Sequence, residues 1–271
     1  MDTYKHKQLH VSLVIPAYND ERYLKAALDS VARQTLMPDE VIVVDNNSTD
    51  NTVAVAESYP FVKVIKEEQQ GVGYANHRGF LAAKNELIGR IDADSVLSAN
   101  WIETAVQYFE LHDSATAITG KCYFYDYPFR RALSLYHVFW QNYVQSLIAG
   151  TTMLWASNMV IRKSVWESVI SKQPIQSIHE DIDMSLKLKK AGYTVKRLPN
   201  LIVSVSLIRD QTSLAYVWEY CMIWSETYSN NQMIFKSYII RIYGLFIFIV
   251  ALPLIFIRYL QHKFSRQKTS D

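Results

Sequence analysis

The chain has 271 residues, enough for one large α/β domain with an appendage and too long for a minimal module. Hydrophobic residues at 49% and charged residues at 20% exclude a disordered or collagen-like chain, and a net charge of +2 gives no bulk basis for nucleic-acid binding. The two cysteines, Cys122 and Cys221, form neither a disulfide framework nor a metal-binding pair, so a reducing compartment is the expectation.

Met1–His10 is polar and does not read as a secretory leader. Val11–Ile15 is a buried-strand signal stopped at Pro16. Asp20–Thr35 has helical spacing (Tyr23, Leu24, Ala27, Leu28, Val31), and Asp20 is placed to cap it. Glu40–Val44 predicts a second strand ending at Asp45, and Thr49–Tyr59 a helix. Phe61–Ile65 predicts a third strand, residues 73–84 a helix, and Glu86–Ile91 a fourth strand ending at Asp92. This rhythm predicts a doubly wound, mostly parallel sheet with flanking helices. In such sheets ligands bind beyond the carboxyl ends of the strands. Here all four ends carry polar groups: Tyr18 and Asn19, Asp45–Asn47, Glu67 and Glu68, Asp92 and Asp94. Ordinary turn chemistry accounts for one such end; four together point to a site.

The second half is less regular. Ala117–Tyr125 predicts a strand, Tyr136–Ile148 an amphipathic aromatic segment, and Met153–Ile161 an apolar run containing Ser157 and Asn158. Asp181–Ala191 predicts a helix ended by Gly192, with Lys187, Lys189 and Lys190 where the dipole favours cations. Thr194–Leu198 and Leu201–Ser206 read as strands, and Leu214–Phe235 as one helix rich in tyrosine and tryptophan.

Three short patterns carry chemistry. Asp92-Ala93-Asp94 can offer hard oxygen ligands to Mg2+ or Mn2+ beside substrate phosphates; a solvated turn is the competing reading. Glu180-Asp181 follows His179 at a helix start, where simple capping competes with catalysis. Gly71-Val72-Gly73 lacks the third glycine of a dinucleotide fingerprint, has Asn76 in its place, and follows a polar stretch, so a Rossmann cofactor is excluded. No phosphate loop of the GxxxxGK type and no HExxH zinc motif occurs.

Taken in order, Ser12–Asn19 (SLVIPAYN), Val41–Asp50 (VIVVDNNSTD), Gly71–Ala75 (GVGYA), Asp92-Ala93-Asp94 and Glu180-Asp181 with Asp183–Leu188 (DMSLKL) resemble glycosyltransferase family two. These are inverting enzymes of the GT-A fold. The resemblance covers about residues 11–210. It implies a catalytic domain over 1–210, with a nucleotide-sugar part at about 11–95 and an acceptor-side part at about 96–210. It implies that Pro16, Ala17 and Tyr18 line the base and ribose and that Asp45 holds the base, uracil first, with guanine and thymine left open. Asp92 would approach the ribose or sugar, and Asp94 would ligate the metal. Asp181 takes the position of the catalytic base, with Glu180 orienting it or the acceptor. Arg209 lies where some members bring a basic residue to the diphosphate, against an ordinary surface arginine. Trp155–Arg162 (WASNMVIR) resembles the acceptor-lining segment, with Trp155 and Asn158 its candidates, against a buried strand whose asparagine is satisfied by backbone. Two departures stand out: His77 replaces the usual asparagine after the glycine turn and becomes a candidate diphosphate contact, and Ser95 replaces an acid after Asp94. The Gln-x-x-Arg-Trp stretch of processive members is absent, which implies a single transfer per acceptor.

The chemistry agrees with that allocation. Inverting transfer needs a carboxylate near the acceptor hydroxyl and a divalent cation for the leaving diphosphate. A non-catalytic sugar-nucleotide-binding scaffold is the alternative, and intact Asp94 and Asp181 weigh against it. A nucleotidyltransferase would need a glycine- and arginine-rich loop after the first strand, which Pro16–Glu21 does not provide.

The carboxyl-terminal region 211–271 contains Ile242–Ile257, sixteen residues without a charge between Arg241 and Arg258, then a basic tail. At helical rise that is about 24 Å, short of the ~30 Å hydrocarbon core. A span would put the tail outside, against the positive-inside tendency. A re-entrant or interfacial segment, bent at Pro253, keeps tail and domain on one face, and a core helix is the third reading. The expected partners are therefore a nucleotide-diphosphate sugar, a lipid-linked or glycan acceptor and a membrane surface, with no nucleic acid. The expected location is the cytosolic face of a membrane, the plasma membrane first.

Overall fold

The structure, a computed structural model, describes residues 8–126, 129–169, 179–206, 214–246 and 248–249. The chain forms two compact units, residues 1–176 with 180–207, and residues 177–179 with 208–271.

The first unit is built on one eight-stranded sheet. Its strands are β1 (Val11–Ala17), β2 (Glu40–Asp45), β3 (Val62–Lys66), β4 (Leu87–Arg90), β5 (Val96–Leu97), β6 (Ala117–Phe124), β7 (Met159–Arg162) and β8 (Val195–Val205). Their order is β3-β2-β1-β4-β7-β6-β8-β5. The β3-β2-β1-β4 half is parallel throughout, β7 runs antiparallel to both β4 and β6, and β6 pairs with β8 in parallel.

Alternation along the strands makes two cores. Val11, Leu13 and Ile15 with Val41 and Val43 face one side. There they meet α1 (Glu21–Ala32) through Leu24, Leu28 and Val31, α2 (Thr52–Glu57) through Ala56, and a helix later in the chain through Trp101, Ile102 and Phe109. Val14, Ile42 and Val44 face the other side, with Ala75 and Phe80 of α3 (Val72–Ala82). The helix carrying Trp101 is α4 (Trp101–Leu111). After it come α5 (Arg130–Phe139), a π-helical stretch (Trp140–Gln145), α6 (Ser146–Ala149), α7 (Lys163–Val169) and α8 (Glu180–Lys190). Trp166 of α7 and Met184 and Leu188 of α8 complete the second core.

Local chemistry differs from expectation at the start of α1. Asp20 precedes α1 but makes no side-chain cap; its carboxylate accepts the Tyr18 N–H (3.1 Å). The ends of α1 and α2 cap each other instead: Asp50 accepts the Glu21 N–H (3.2 Å) and Glu21 accepts the Asn51 N–H (3.0 Å). Gly192, at φ +83°, ends α8 as expected, with Tyr193 donating back to the Leu188 carbonyl (2.9 Å). The region expected as two strands after α8 is one long strand, β8.

In the second unit the helix expected over Leu214–Phe235 stops as α9 (Leu214–Asn230). Gln232 takes φ +62°, and Met233 and Gln232 donate back to the Tyr228 and Ser229 carbonyls, a left-handed stop made without glycine. A further helix follows over 234–246, and the Tyr243 ring stacks on Trp224 (centroids 5.9 Å apart). Among the described residues no helix is long and apolar enough to cross a membrane. The second half of Ile242–Ile257 and the basic tail lie outside the described residues.

Candidate active site

The polar residues gather where the parallel strands end. The Ala17 carbonyl accepts the Asn46 N–H (2.9 Å), joining the ends of β1 and β2. Asn19 and Asn47 both take the left-handed backbone (φ 53° and 65°), which asparagine tolerates better than most residues. The Asn19 amide oxygen then accepts the Thr49 N–H (2.8 Å), sewing the two loops together. Tyr18 between them is exposed, Pro16 is buried in β1, and Asp45 is buried at the end of β2 with the Ser48 N–H on its carboxylate (3.1 Å). Asn46 shapes the loop between β3 and α3. Its amide donates to the Gln69 carbonyl (2.7 Å) and accepts the Gly71 N–H (2.7 Å). Gly71 sits at φ +141°, a conformation that glycine adopts at no steric cost.

Past β4, Asp92-Ala93-Asp94-Ser95 is a turn closed on itself. The Ser95 N–H donates to the Asp92 carbonyl (3.0 Å), and the Asp92 N–H donates to the Ser95 hydroxyl (3.1 Å). The serine that departs from the family pattern is thus the residue that holds the turn. Asp94 is buried, and its carbonyl accepts the Tyr125 hydroxyl (3.2 Å). Burial, then the charges of Asp94 and Asp126, push the Tyr125 phenol up, so it remains a donor.

Arg90 ends β4 and is 2% exposed. Its Nη1 lies 2.9 Å from Asp92 Oδ1 and its Nη2 3.4 Å from Glu180 Oε1. Its Nε donates to Asn76 Oδ1 (3.1 Å), and Asn76 Nδ2 donates to Glu180 Oε1 (3.2 Å). One rigid guanidinium fork therefore ties the Asp92–Asp94 turn, α3 and the start of α8 together. The residue was missed in the sequence, although a signal existed: an arginine inside the otherwise uncharged run LIGRI is almost never buried without carboxylate partners.

Asp181 stands in the first turn of α8, buried. Its Oδ1 accepts the Ile182 N–H (2.8 Å) and its Oδ2 the Ala156 N–H (3.3 Å). Burial raises its pKa above the ordinary carboxylate value, while the two amides and Arg90 oppose that rise and Asp92 adds to it. Asp181 and Glu180 line a small, partly open cavity of about 20 Å³ together with Asn76, His77 and Arg90, closed on its apolar side by Phe80, Met159, Trp166 and Met184.

The sequence-named residues thus fall into groups. Glu180 and Asp181 share the cleft, and Asp92 is joined to it through Arg90. His77 lines it against Trp166 (ring centroids 5.7 Å). Asp94 belongs to the neighbouring turn and is not part of the cleft lining. Asn158 is fully buried: its Oδ1 accepts Trp101 Nε1–H (2.8 Å), and its Nδ2 donates to the Lys121 and Leu201 carbonyls (2.9 and 3.0 Å). Both ends of that amide are spent on holding α4, β6 and β8 together, so the acceptor contact expected of it is not what its geometry serves. Trp155 is half-buried, its ring edge-on to His137 (4.5 Å). Arg209 lies outside the described residues.

The sequence model of Glycosyl transferase family 2 matches residues 12–170, more than half of the chain. The chain belongs to this family. Among curated members of the glycosyltransferases, it is 33% identical to glycosyltransferase GlyG of Streptococcus pneumoniae over 43% of this chain and 40% of that one. It is 38% identical to the putative glycosyltransferase EpsH of Bacillus subtilis over 34% of this chain and 27% of that one. The chain therefore matches less than half the length of these curated relatives. Solved structures share the GT-A fold: the mannosyltransferase PcManGT of Pyrobaculum calidifontis in complex with GDP-Man and Mn2+ superposes with a TM-score of 0.65 at 16% identity, covering 92% of this chain and 75% of that one. TarS of S. aureus in complex with UDP-GlcNAc gives 0.60 at 18% identity, covering 82% and 67%. A family 2 site calls for a divalent cation, and the donor chemistry fits one. Asp94 is a hard carboxylate, and Mg2+ or Mn2+ binds through one or two such groups, leaving other positions to water and phosphate. Among the described residues no group of three or more acidic, histidine or cysteine side chains is placed to hold a metal ion.

Proposed function

We propose that this family 2 chain transfers a sugar from a nucleoside-diphosphate donor, a UDP-sugar first, to an acceptor hydroxyl or phosphate with inversion at the anomeric carbon. The observation that carries the reading is Asp181: a buried carboxylate held by two backbone amides beside Glu180 at a small, partly open cavity, its pKa raised by burial. In the reaction the acceptor O–H gives its proton to the Asp181 carboxylate as its oxygen bonds to the anomeric carbon. The bond from that carbon to the diphosphate oxygen breaks, and the nucleoside diphosphate leaves with the electron pair. Glu180, fixed by Arg90 and Asn76, orients the acceptor side. Asp45 with Pro16, Ala17 and Tyr18 takes the base and ribose, and Asp92 the ribose or sugar. Asp94 would hold Mg2+ or Mn2+, whose charge stabilises the departing diphosphate. The bound donors named for PcManGT and TarS support a nucleotide sugar as the partner.

For the acceptor we propose a lipid-linked or cell-surface glycan at the cytosolic face of a membrane. Support comes from the charge-free run Ile242–Ile257 and the basic tail after it. The test is a screen of nucleotide sugars with Mg2+ or Mn2+, with membrane lipid extract as acceptor and nucleoside diphosphate release as readout. One donor is expected to turn over, and Asp94→Asn and Asp181→Asn are each expected to slow that turnover by about 10²-fold or more while the fold persists. Donor binding without turnover would instead establish a binding scaffold, and turnover by Asp181→Asn near the parent's rate would remove the base assignment.

A further inference from the structure

The segment from Arg130 to Ala149 is amphipathic in the wrong sense for a helix beside water. Its inward face buries Ser134, Trp140, Gln145 and Ala149 and the ring nitrogens of His137, and the Ser134 hydroxyl accepts the Phe124 N–H of β6 (2.9 Å). Its outward face carries the large apolar side chains: Leu135 is 67% exposed, Phe139 55%, Tyr143 65% and Leu147 82%. A surface helix of a soluble protein shows the reverse. The four lie at a spacing of four residues. In an α-helix each fourth residue drifts about 40° around the axis. The π-helical stretch Trp140–Gln145, with more residues per turn, turns back part of that drift and keeps the four near one stripe. Phe139 and Tyr143 touch along it (ring centroids 5.5 Å).

The charge around the stripe says what covers it. Arg130 and Arg131 are exposed at its amino end beside the exposed Phe129. From residue 127 to residue 166 the sequence contains no aspartate or glutamate. An apolar stripe with a cationic amino end and no acid within it matches an anionic lipid surface, with the rings and leucines at acyl depth and the arginines among the headgroups. We propose that the Arg130–Ala149 segment docks in the plane of an anionic membrane. This deepens the membrane location proposed above and rests on it, yet assigns the contact to the sugar-transferring domain itself, apart from the carboxyl-terminal run.

The test uses the full chain with Leu147→Cys carrying an environment-sensitive nitrobenzoxadiazole label, mixed with phosphatidylcholine vesicles with and without phosphatidylglycerol. The parent chain labelled in the same way gives the background from Cys122 and Cys221. Emission at position 147 is expected to rise several-fold and shift blue on anionic vesicles, and brominated lipid is expected to quench it. Leu135→Gln with Phe139→Gln should weaken vesicle partition by roughly tenfold or more. Arg130→Gln with Arg131→Gln should weaken it by about tenfold or more on anionic vesicles only. A second label at Ile249→Cys, on an exposed position of the other unit, separates the two readings. If position 249 responds and position 147 stays dark, the docking inference falls and the carboxyl-terminal membrane reading stands. If both stay dark, both fall. If the Gln substitutions dissociate a dimer in sedimentation and leave vesicle partition unchanged, the stripe is a subunit interface and the inference is overturned.

Discussion

Asp181 carries two opposed demands in one carboxylate. As the proposed base it must be ionised, while its burial favours the neutral form. The sign for stability follows. A carboxyl whose folded pKa is raised contributes stability that is present below its ordinary value and is lost as pH rises through the folded one. Asp181→Asn is therefore expected to lower transfer by about 10²–10⁴. The difference in melting temperature between that variant and the parent should also grow in the variant's favour as pH rises from about 4 to 8. A difference that stays flat with pH would show that burial does not set the titration of Asp181. Arg90 is the counterpart. With Met in its place, Glu180 and Asp92 lose their shared cation, so urea denaturation should show a loss of about 3–5 kcal/mol. Adding Glu180→Gln should recover part of that loss. Lys at 90 supplies one point charge where the guanidinium donates to Asn76 and Glu180 and pairs with Asp92, and should fall between. The carboxylates of this network were legible in the sequence because acids after strands and at helix starts follow recurrent patterns. The network's centre was not legible. Its partners lie 14 and 90 positions away, at Asn76 and Glu180, and no spacing rule links them.

At the scale of elements, the parallel half was readable because each strand is a short β-branched run followed by a polar end and an amphipathic helix. β5, α4 and α7 were not anticipated. β5 has two residues, too few for a period, and α7 only seven. α4 was legible: Trp101, Ile102, Ala105, Val106 and Phe109 fall on one helical face. The close approach of α3 to the sheet depends on one residue. A Cβ on Gly79 would meet Val14 Cγ1 at 2.4 Å and Val44 Cγ2 at 2.9 Å. Gly79→Ala should cost about 1–3 kcal/mol by pushing α3 off β1 and β2, despite alanine's better helix propensity. The cost should shrink in a Val14→Ala background, where the first clash is gone. Since α3 also carries Asn76 and His77 into the cleft, donor affinity should weaken alongside stability. Stability lost with donor affinity unchanged would separate the helix from the site. The end of α9 shows the limit of pattern from the other side: Ser229-Asn230-Asn231-Gln232 contains no glycine, so nothing in it announced a left-handed stop.

For the molecule as a whole, the response to acid is a sum of titrations with different signs. His10 has its pKa raised by hydrogen bonding to Asp39, so its contribution is present at low pH and fades as pH rises; it is exposed, and salt will screen it. Asp29 and Asp50 are lowered and lose their contributions only below the ordinary carboxylate range. Asp181, raised, works in the direction of His10. His137 runs the other way and titrates at higher pH than those aspartates. Burial takes it down to about 4 from its ordinary 6.5, assisted by the positive charge of Arg197, and its ring is enclosed by Phe124 and Trp155. A depressed histidine is neutral in the fold and charged once unfolded, so the unfolded chain binds the extra proton. Its contribution is complete above about pH 6.5 and is lost as pH falls towards 4. Between pH 7 and pH 5 this amounts to about 2 kcal/mol, or roughly 6 °C in melting temperature for a domain of this size. His137→Phe keeps an aromatic ring of similar shape without the proton site, so its melting temperature should hold through that interval while the parent's falls. High salt should leave the parent's fall in place, because the group is buried, while removing the smaller opposing contribution of His10. Parallel falls in parent and variant would place the acid sensitivity elsewhere and return His137 to a packing role alone.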